Sequence, residues 1–169
     1  MQLIMKSPAL LYVFFLSVII FISCGKQDSL EPISVPESKT AYISFMQDTV
    51  PVTLSVTNAR KESIGTVLAT SVEGKLPDSI LRNNNLIIRV TGDSARLYSH
   101  SEILASYTDS TGNTFSNDIS DTTNTVRITK LEKVKDGIVE GSFTIRVSNS
   151  TKTKTLLLNN GKFYTLFFD

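Results

Sequence analysis

Gly137-Ile138-Val139-Glu140-Gly141-Ser142-Phe143-Thr144-Ile145-Arg146-Val147 is the stretch whose reading decides the fold. Val139, Gly141, Phe143, Ile145 and Val147 fall on one parity; Glu140, Ser142, Thr144 and Arg146 fall on the other. Successive side chains of a strand point to opposite faces, so this alternation predicts a half-buried antiparallel strand. Just before it, Lys135-Asp136-Gly137 predicts a hairpin turn, because Asp-Gly accommodates the backbone a tight turn needs. Residues 125–134 then form the preceding strand, with Val126, Ile128 and Leu131 inward and a phase slip near Lys130 that suits a bulge. On the other side, residues 154–158 and 162–168 flank Asn159-Asn160-Gly161, which reads as a second hairpin with a Gly available for positive φ. The last four strands are therefore expected to form a meander.

The first half is less regular but still strand-like. Residues 41–46, 50–56, 64–71, 86–91, 95–99 and 103–108 are strand candidates, separated by turn signals at Asp48, Asn58, Gly74, Asn83-Asn84-Asn85, Gly92-Asp93 and Asp109 to Gly112. Pro77-Asp78-Ser79-Ile80-Leu81 reads as a single helical turn. The expected fold is an all-β antiparallel sandwich or open barrel of about 8–10 short strands. Phe163, Thr165 and Phe167 alternate with Tyr164, Leu166 and Phe168, so both faces of the last strand are apolar. That marks a central strand; an exposed aromatic surface for a ligand or partner is the competing reading.

Composition sets the outer limits. The chain has 169 residues, 41% hydrophobic and 20% charged, which suits a folded domain rather than a disordered chain. Lys and Arg number 17 against 16 Asp and Glu, so no charge excess drives nucleic-acid binding. One Cys excludes an internal disulfide, and one Cys with one His excludes a His/Cys zinc site within a single chain.

The N-terminus reads as an export signal. Residues 1–23 carry Lys6 as their only charge, followed by an apolar run over 10–22 broken only by Ser17. A helix of that length reaches about 20 Å, short of the hydrocarbon core of about 30 Å. A basic start, a short apolar run and a small residue at its end form the layout of a secretory signal peptide; an uncleaved anchor is the competing reading. Phe21-Ile22-Ser23-Cys24 resembles the lipobox of bacterial lipoproteins, although Phe21 stands where Leu is usual. The resemblance implies that the Cys24 thiolate takes up a diacylglyceryl group, so the expected anchor is a covalent lipid. Gly25-Lys26 follows in place of an Asp, which in that pattern implies the outer membrane. Lys26 with Asp28 and Glu31 resembles a surface-export signal in scattered form, so a periplasmic and a surface-facing orientation both stay open. Residues 24–39 contain Pro32 and Pro36 with no periodicity and read as the lipidated Cys and its tether. The single all-β domain is expected over 40–169. Removal of 1–23 leaves 16 basic and 16 acidic side chains, so charge adds nothing to anchoring.

A second resemblance rests on Ala105-Ser106-Tyr107-Thr108-Asp109-Ser110-Thr111-Gly112-Asn113-Thr114-Phe115, Thr125-Val126-Arg127-Ile128-Thr129-Lys130-Leu131, Gly137-Ile138-Val139-Glu140-Gly141-Ser142-Phe143-Thr144 and Leu158-Asn159-Asn160-Gly161-Lys162-Phe163. Their order is similar to that of small Bacteroidota outer-membrane lipoproteins of unknown function: a polar loop, a Val-x-Ile-Thr-Lys strand, a Gly-x-Phe strand and a closing Asn-Gly-x-Phe segment. Glu140 stands where a small polar residue is frequent in that family. The resemblance implies a β-rich, envelope-located protein and assigns no functional residue.

Chemistry is sparse in the sequence. His100, between Ser99 and Ser101, would have to be the base of any nucleophilic site, and neighbouring residues on a strand face opposite ways. Gly92-Asp93-Ser94-Ala95-Arg96 lacks the second Gly of a nucleophile elbow. Glu102, Asp109, Asp118, Asp121 and Glu140 offer carboxylates, but their spacing singles out no acid/base pair. Asp109, Asn113, Asp118 and Asp121 are candidate calcium ligands by oxygen chemistry, out of EF-hand order; polar turn residues are the plainer reading. Glycan binding has no Trp to use, leaving Tyr42, Tyr98, Tyr107 and Tyr164. No Gly-rich loop opens a helix for phosphate. Lys130, Lys133, Lys135, Lys152 and Lys154 could form a basic edge, where Lys more commonly guards an edge strand. The resulting expectation is a lipid-anchored, non-enzymatic β-domain with a binding or scaffolding role towards a glycan, a peptide or an envelope protein. It is expected to need no cofactor beyond the lipid and no nucleic acid; an envelope enzyme or inhibitor is the remaining alternative.

Overall fold

The computed structural model describes residues 39–77 and 83–168. The expected signal peptide over 1–23, Cys24, most of the expected tether and the helical turn expected at 77–81 thus lie wholly or largely outside the described residues. Residues Ser38–Asp169 make one compact unit.

Eleven strands build it: β1 Tyr42–Gln47, β2 Val50–Leu54, β3 Val56–Ile64, β4 Val67–Lys75, β5 Asn85–Thr91, β6 Leu97–Ser99, β7 Ile103–Thr108, β8 Thr114–Asn117, β9 Thr125–Leu131, β10 Ile138–Ser148 and β11 Thr155–Leu166. They join in one antiparallel sheet in the order β2-β1-β11-β10-β8-β7-β5-β4-β3, with β9 on β10 beyond β8, and β6 on β9. The sheet curls into a nearly closed barrel. Only Ser55 separates β2 from β3, so one continuous segment pairs with β1 at one sheet edge and with β4 at the other. A parallel bridge between Ala59 and Phe167 closes the seam, where the Phe168 N–H donates to the Ala59 carbonyl at 2.6 Å. Near-closure leaves less open sheet edge to recruit other chains.

The strand that decides the fold behaves as its alternation predicts. Val139, Gly141, Phe143, Ile145 and Val147 are buried, and Ser142 and Arg146 are exposed. The Asp136 turn forms with φ 61°, and the Gly137 N–H donates to Val134 O at 2.8 Å. The phase slip is a bulge: Glu140 pairs with Lys130 and Gly141 with Ile128, which leaves Thr129 extra.

The second hairpin is a correction. Asn159-Asn160-Gly161 lies inside β11, which runs unbroken beside β1 and β10. Gly161 pairs with Phe143 and Leu158 with Ile145, so Asn159 and Asn160 face Thr144 alone. Asn160 takes φ 50°, the left-handed conformation that a bulge can use as readily as a turn. The C-terminal meander accordingly has three strands. Two strands were also unexpected. The polar stretch of β3 conceals its alternation, and β8 sits in what reads as loop.

Phe163, Thr165 and Phe167 point into the core, where Phe45 meets Tyr107 edge-on at 5.6 Å and Phe143 at 5.9 Å. The opposite face of β11 is not covered: Leu166 is exposed, as is Phe168 just beyond the strand. The central-strand reading holds, since β11 lies between β1 and β10, and its outer face leaves Leu166 and Phe168 open. Tyr98 and Tyr107 are wholly buried, which removes them from any sugar-stacking surface. Tyr107 donates to Gln47 Oε1 at 2.7 Å, and burial, with the charge of Asp109, pushes its hydroxyl up to about 12.

His100 occupies a short 3-10 turn, His100–Glu102, rather than a strand. Glu102 is the organiser there. It accepts from Arg96 Nη2 at 2.6 Å and from the Ser99 N–H and hydroxyl at 3.0 Å each. The Arg96 guanidinium first, then the Ser99 amide, hold its carboxyl down at about 2. A carboxyl depressed on folding contributes stability above its unfolded value of 4.5 and loses it as the pH falls towards 2. Urea midpoints measured across that window should fall less steeply for Glu102→Gln than for the native chain; parallel curves would show that Glu102 carries no such linkage.

Candidate functional site

Register assigns the two ends of the barrel. Tyr42 pairs with Tyr164 and Ile138 with Leu166, so β1 and β10 start where β11 stops. The chain enters at this end. The β7–β8 loop over 109–113 and the β10–β11 loop over 149–154 lie at the far end, joined through Ser148, which pairs with Ser116.

A groove of about 930 Å³ runs between these two loops. Its floor is the buried ring of Phe115, stacked on Tyr107, with Lys154 Nζ 5.4 Å from the Phe115 centroid. Its walls are polar: Ser116 and Asn117 on β8, Ser148 on β10, and Asn149 and Lys152 beyond it. Asn149 shapes the second loop by accepting at Oδ1 from the Thr153 and Lys154 amides, at 2.9 and 3.0 Å.

Three Asp residues repeat one local device. Each sits two residues before a Ser or Thr and accepts at Oδ1 from that residue's amide and hydroxyl: Asp109 from Thr111 at 2.9 and 2.7 Å, Asp118 from Ser120 at 2.9 and 2.7 Å, Asp121 from Thr123 at 3.0 and 2.6 Å. These are Asx turns, favoured by short side chains that mimic a backbone turn. The second oxygen of each faces a cation: Lys154 at 4.0 Å, Lys152 at 3.0 Å and Arg146 at 3.9 Å respectively. All three carboxyls lie below their usual range. For Asp109 burial works upwards and the Thr111 and Asn113 hydrogen bonds overcome it; Ser120 with Lys152 lowers Asp118, and Thr123 with Arg146 lowers Asp121.

The four calcium candidates are thus divided. Asp109 and Asn113 share the β7–β8 loop, and Asp118 and Asp121 share the β8–β9 loop. Among the described residues no three Asp, Glu, His or Cys side chains converge as metal ligands. The basic edge is divided as well. Lys130 pairs with Glu132, Lys133 with Asp93, Lys152 with Asp118 and Lys154 with Asp109. Glu140 and Arg146 share the outer face of β10, as the alternation requires. The sequence had the signal for this site in its repeated Asp-x-Ser/Thr, but the groove needed the pairing of Ser116 with Ser148 to exist.

Residues 69–166 match a domain of unknown function, DUF6252. The chain belongs to that family. The DUF6252 match includes every segment from β5 to β11 and both walls of the groove, and it begins well before the residues that carry the lipoprotein resemblance. No curated protein and no solved structure matches the chain.

Proposed function

We propose that this DUF6252 protein is a lipid-anchored, non-enzymatic binding module of the cell envelope, tethered through Cys24 to the outer membrane. The ligand it takes in the far-end groove is a glycan or peptide segment. The observation that carries the reading is the position and lining of that groove: hydroxyl, amide and ammonium groups beside the exposed Ile119, at the barrel end opposite chain entry. Such a lining offers hydrogen bonds to a polar, extended ligand and one apolar contact. Asp118 in the groove lining and Asp109 in the adjoining β7–β8 loop already have their oxygens engaged by their own loops and by lysines, an arrangement suited to shaping a surface rather than to moving protons. The Phe21-Ile22-Ser23-Cys24 segment and the likeness to Bacteroidota lipoproteins support the anchor.

Intact mass and membrane fractionation of the native protein beside Cys24→Ala test the anchor. The expected native form lacks residues 1–23, carries acyl mass and pellets with outer membrane, whereas the variant stays unacylated. A glycan and peptide array probed with the native protein and with Ser116→Trp tests the groove. Ser116 is exposed on the wall, so its replacement by Trp obstructs the groove without touching the core. Signals abolished by Ser116→Trp support the groove as the site; signals that survive it place binding elsewhere.

A further inference from the structure

We infer that the entry end of the barrel is a membrane-contact face that lies on the lipid surface. The inference rests on the Cys24 anchor proposed above and adds a second, protein-borne contact to it. Three large apolar side chains are gathered at this end in the open: Val134 at 65% exposure, Phe168 at 69% and Leu166 at 41%. Backbone hydrogen bonds hold them together. The Asp136 N–H donates to Phe167 O at 2.9 Å, and the Phe167 N–H donates to Gly137 O at 2.7 Å, which fixes the β9–β10 turn against the last residues of the chain. The β3–β4 turn, with Val67 and Leu68 also exposed, continues past the Ala59–Phe167 bridge in the same direction.

The position of chain entry names the occupant. Lys39 and Tyr42 begin the described chain at this same end, with Lys39 Nζ 5.4 Å from the Tyr164 ring centroid. Only residues 25–38, of linker composition, separate this point from Cys24, and a linker of that length has an r.m.s. reach of about 20 Å. A lipid at Cys24 therefore keeps the apolar cluster within a barrel's width of the bilayer, at high effective concentration, where even a weak contact is populated. The polar groups present suit an interface. Lys39, Lys133 and Lys135 have long stems that can carry ammonium groups to headgroup level, and Tyr164 pairs an apolar ring with a polar tip. Of the acids here, Asp93 is held by Lys133 and Glu132 by Lys130, and Asp136 sits beside Lys135 in the turn. The far end, by contrast, exposes Val50 and Ile119 singly, with Asp48, Asp118 and Lys152 around them.

The chain has no Trp, so one introduced Trp reports alone. The acylated full chain carrying Phe168→Trp, and separately Val50→Trp at the far end, is reconstituted on phosphatidylethanolamine–phosphatidylglycerol vesicles with brominated acyl chains. Phe168→Trp should shift to the blue on vesicle binding and be quenched several-fold more than Val50→Trp. Equal quenching of the two on vesicle-bound protein overturns the contact face and leaves the anchor standing. Failure of both variants to sediment with vesicles overturns anchor and face together. A blue-shifted Phe168→Trp before any vesicle is added also overturns the inference, since protein then covers the cluster.

Discussion

Gly161→Ala should lower stability by about 3 kcal/mol, with a fall in Tm of roughly 10 °C, while far-UV CD stays native. An added Cβ would lie 2.5 Å from Cε2 and Cζ of Phe143 and 2.6 Å from Cδ1. Gly161 and Phe143 are cross-strand partners, and so, in the reverse sense, are Gly141 and Phe163. Each ring lies over the opposing glycine, an arrangement that lets two neighbouring strands coil tightly where the barrel wall bends. The two sites should respond differently to a second change. At Gly161 all three nearest atoms belong to the Phe143 ring, so Gly161→Ala combined with Phe143→Leu should recover part of the loss as a positive coupling. At Gly141 the new Cβ would strike the Arg127 carbonyl as well as the Phe163 ring. Backbone cannot be trimmed, so Phe163→Leu should not rescue Gly141→Ala. Chemical denaturation of the four single and two double variants decides the matter, and rescue at both sites or at neither would contradict the geometry.

Asn124→Ala should cost about 1–3 kcal/mol, because it strands a main-chain donor inside the barrel wall. Asn124 is fully buried. Its Oδ1 accepts from the Arg146 N–H at 2.7 Å, and its Nδ2 donates to Asp118 O at 3.1 Å. The location explains the need. On β10, pairing with β9 ends at Thr144 and pairing with β8 begins at Val147. Arg146 falls in the gap between them, and an amide side chain completes the ladder there. Asn117 does the same towards β7, accepting from the Ala105 N–H at 2.6 Å and donating to Ile103 O at 2.9 Å. Native-state hydrogen exchange is the direct readout: the Arg146 amide should exchange faster in Asn124→Ala, with Ile145 and Val147 less affected. Asn124→Asp retains the acceptor but gives up the donor to Asp118, so it should protect the Arg146 amide while still lowering stability. An unchanged Arg146 amide in Asn124→Ala would show that the side chain is not its partner.

How legible these features were depended on the range of the interactions behind them. The alternation of Gly137 to Val147, the Asp136-Gly137 turn and the slip at Lys130 all follow from local geometry, and all three are where the residues place them. Asn159-Asn160-Gly161 misleads because a positive φ serves a bulge and a turn alike; the choice is made by β1 and β10, which hold β11 straight from both sides. β3 escapes the pattern because its outward face carries Arg60 and Glu62, partners of Glu73 on the adjacent β4 and of Arg89 on β5. The three Asx turns were readable as turns from Asp-x-Ser/Thr, yet the groove between the β7–β8 and β10–β11 loops comes from tertiary pairing. The reciprocal placing of glycines and phenylalanines on β10 and β11 is visible only once the register is known.

The segment that bends through Ser55 has a temporal side. It lies near the start of the domain, yet its second half is sealed by Phe167, almost the last residue. β11 supplies both the partner of β1 and, through Phe167 just beyond it, the bridge to β3, so the first segment and the last strand of the domain close the wall together. The seam is thus a pairing of long sequence separation, whose loop-closure entropy must be met before the contact is rewarded, so it should be among the slowest contacts to form.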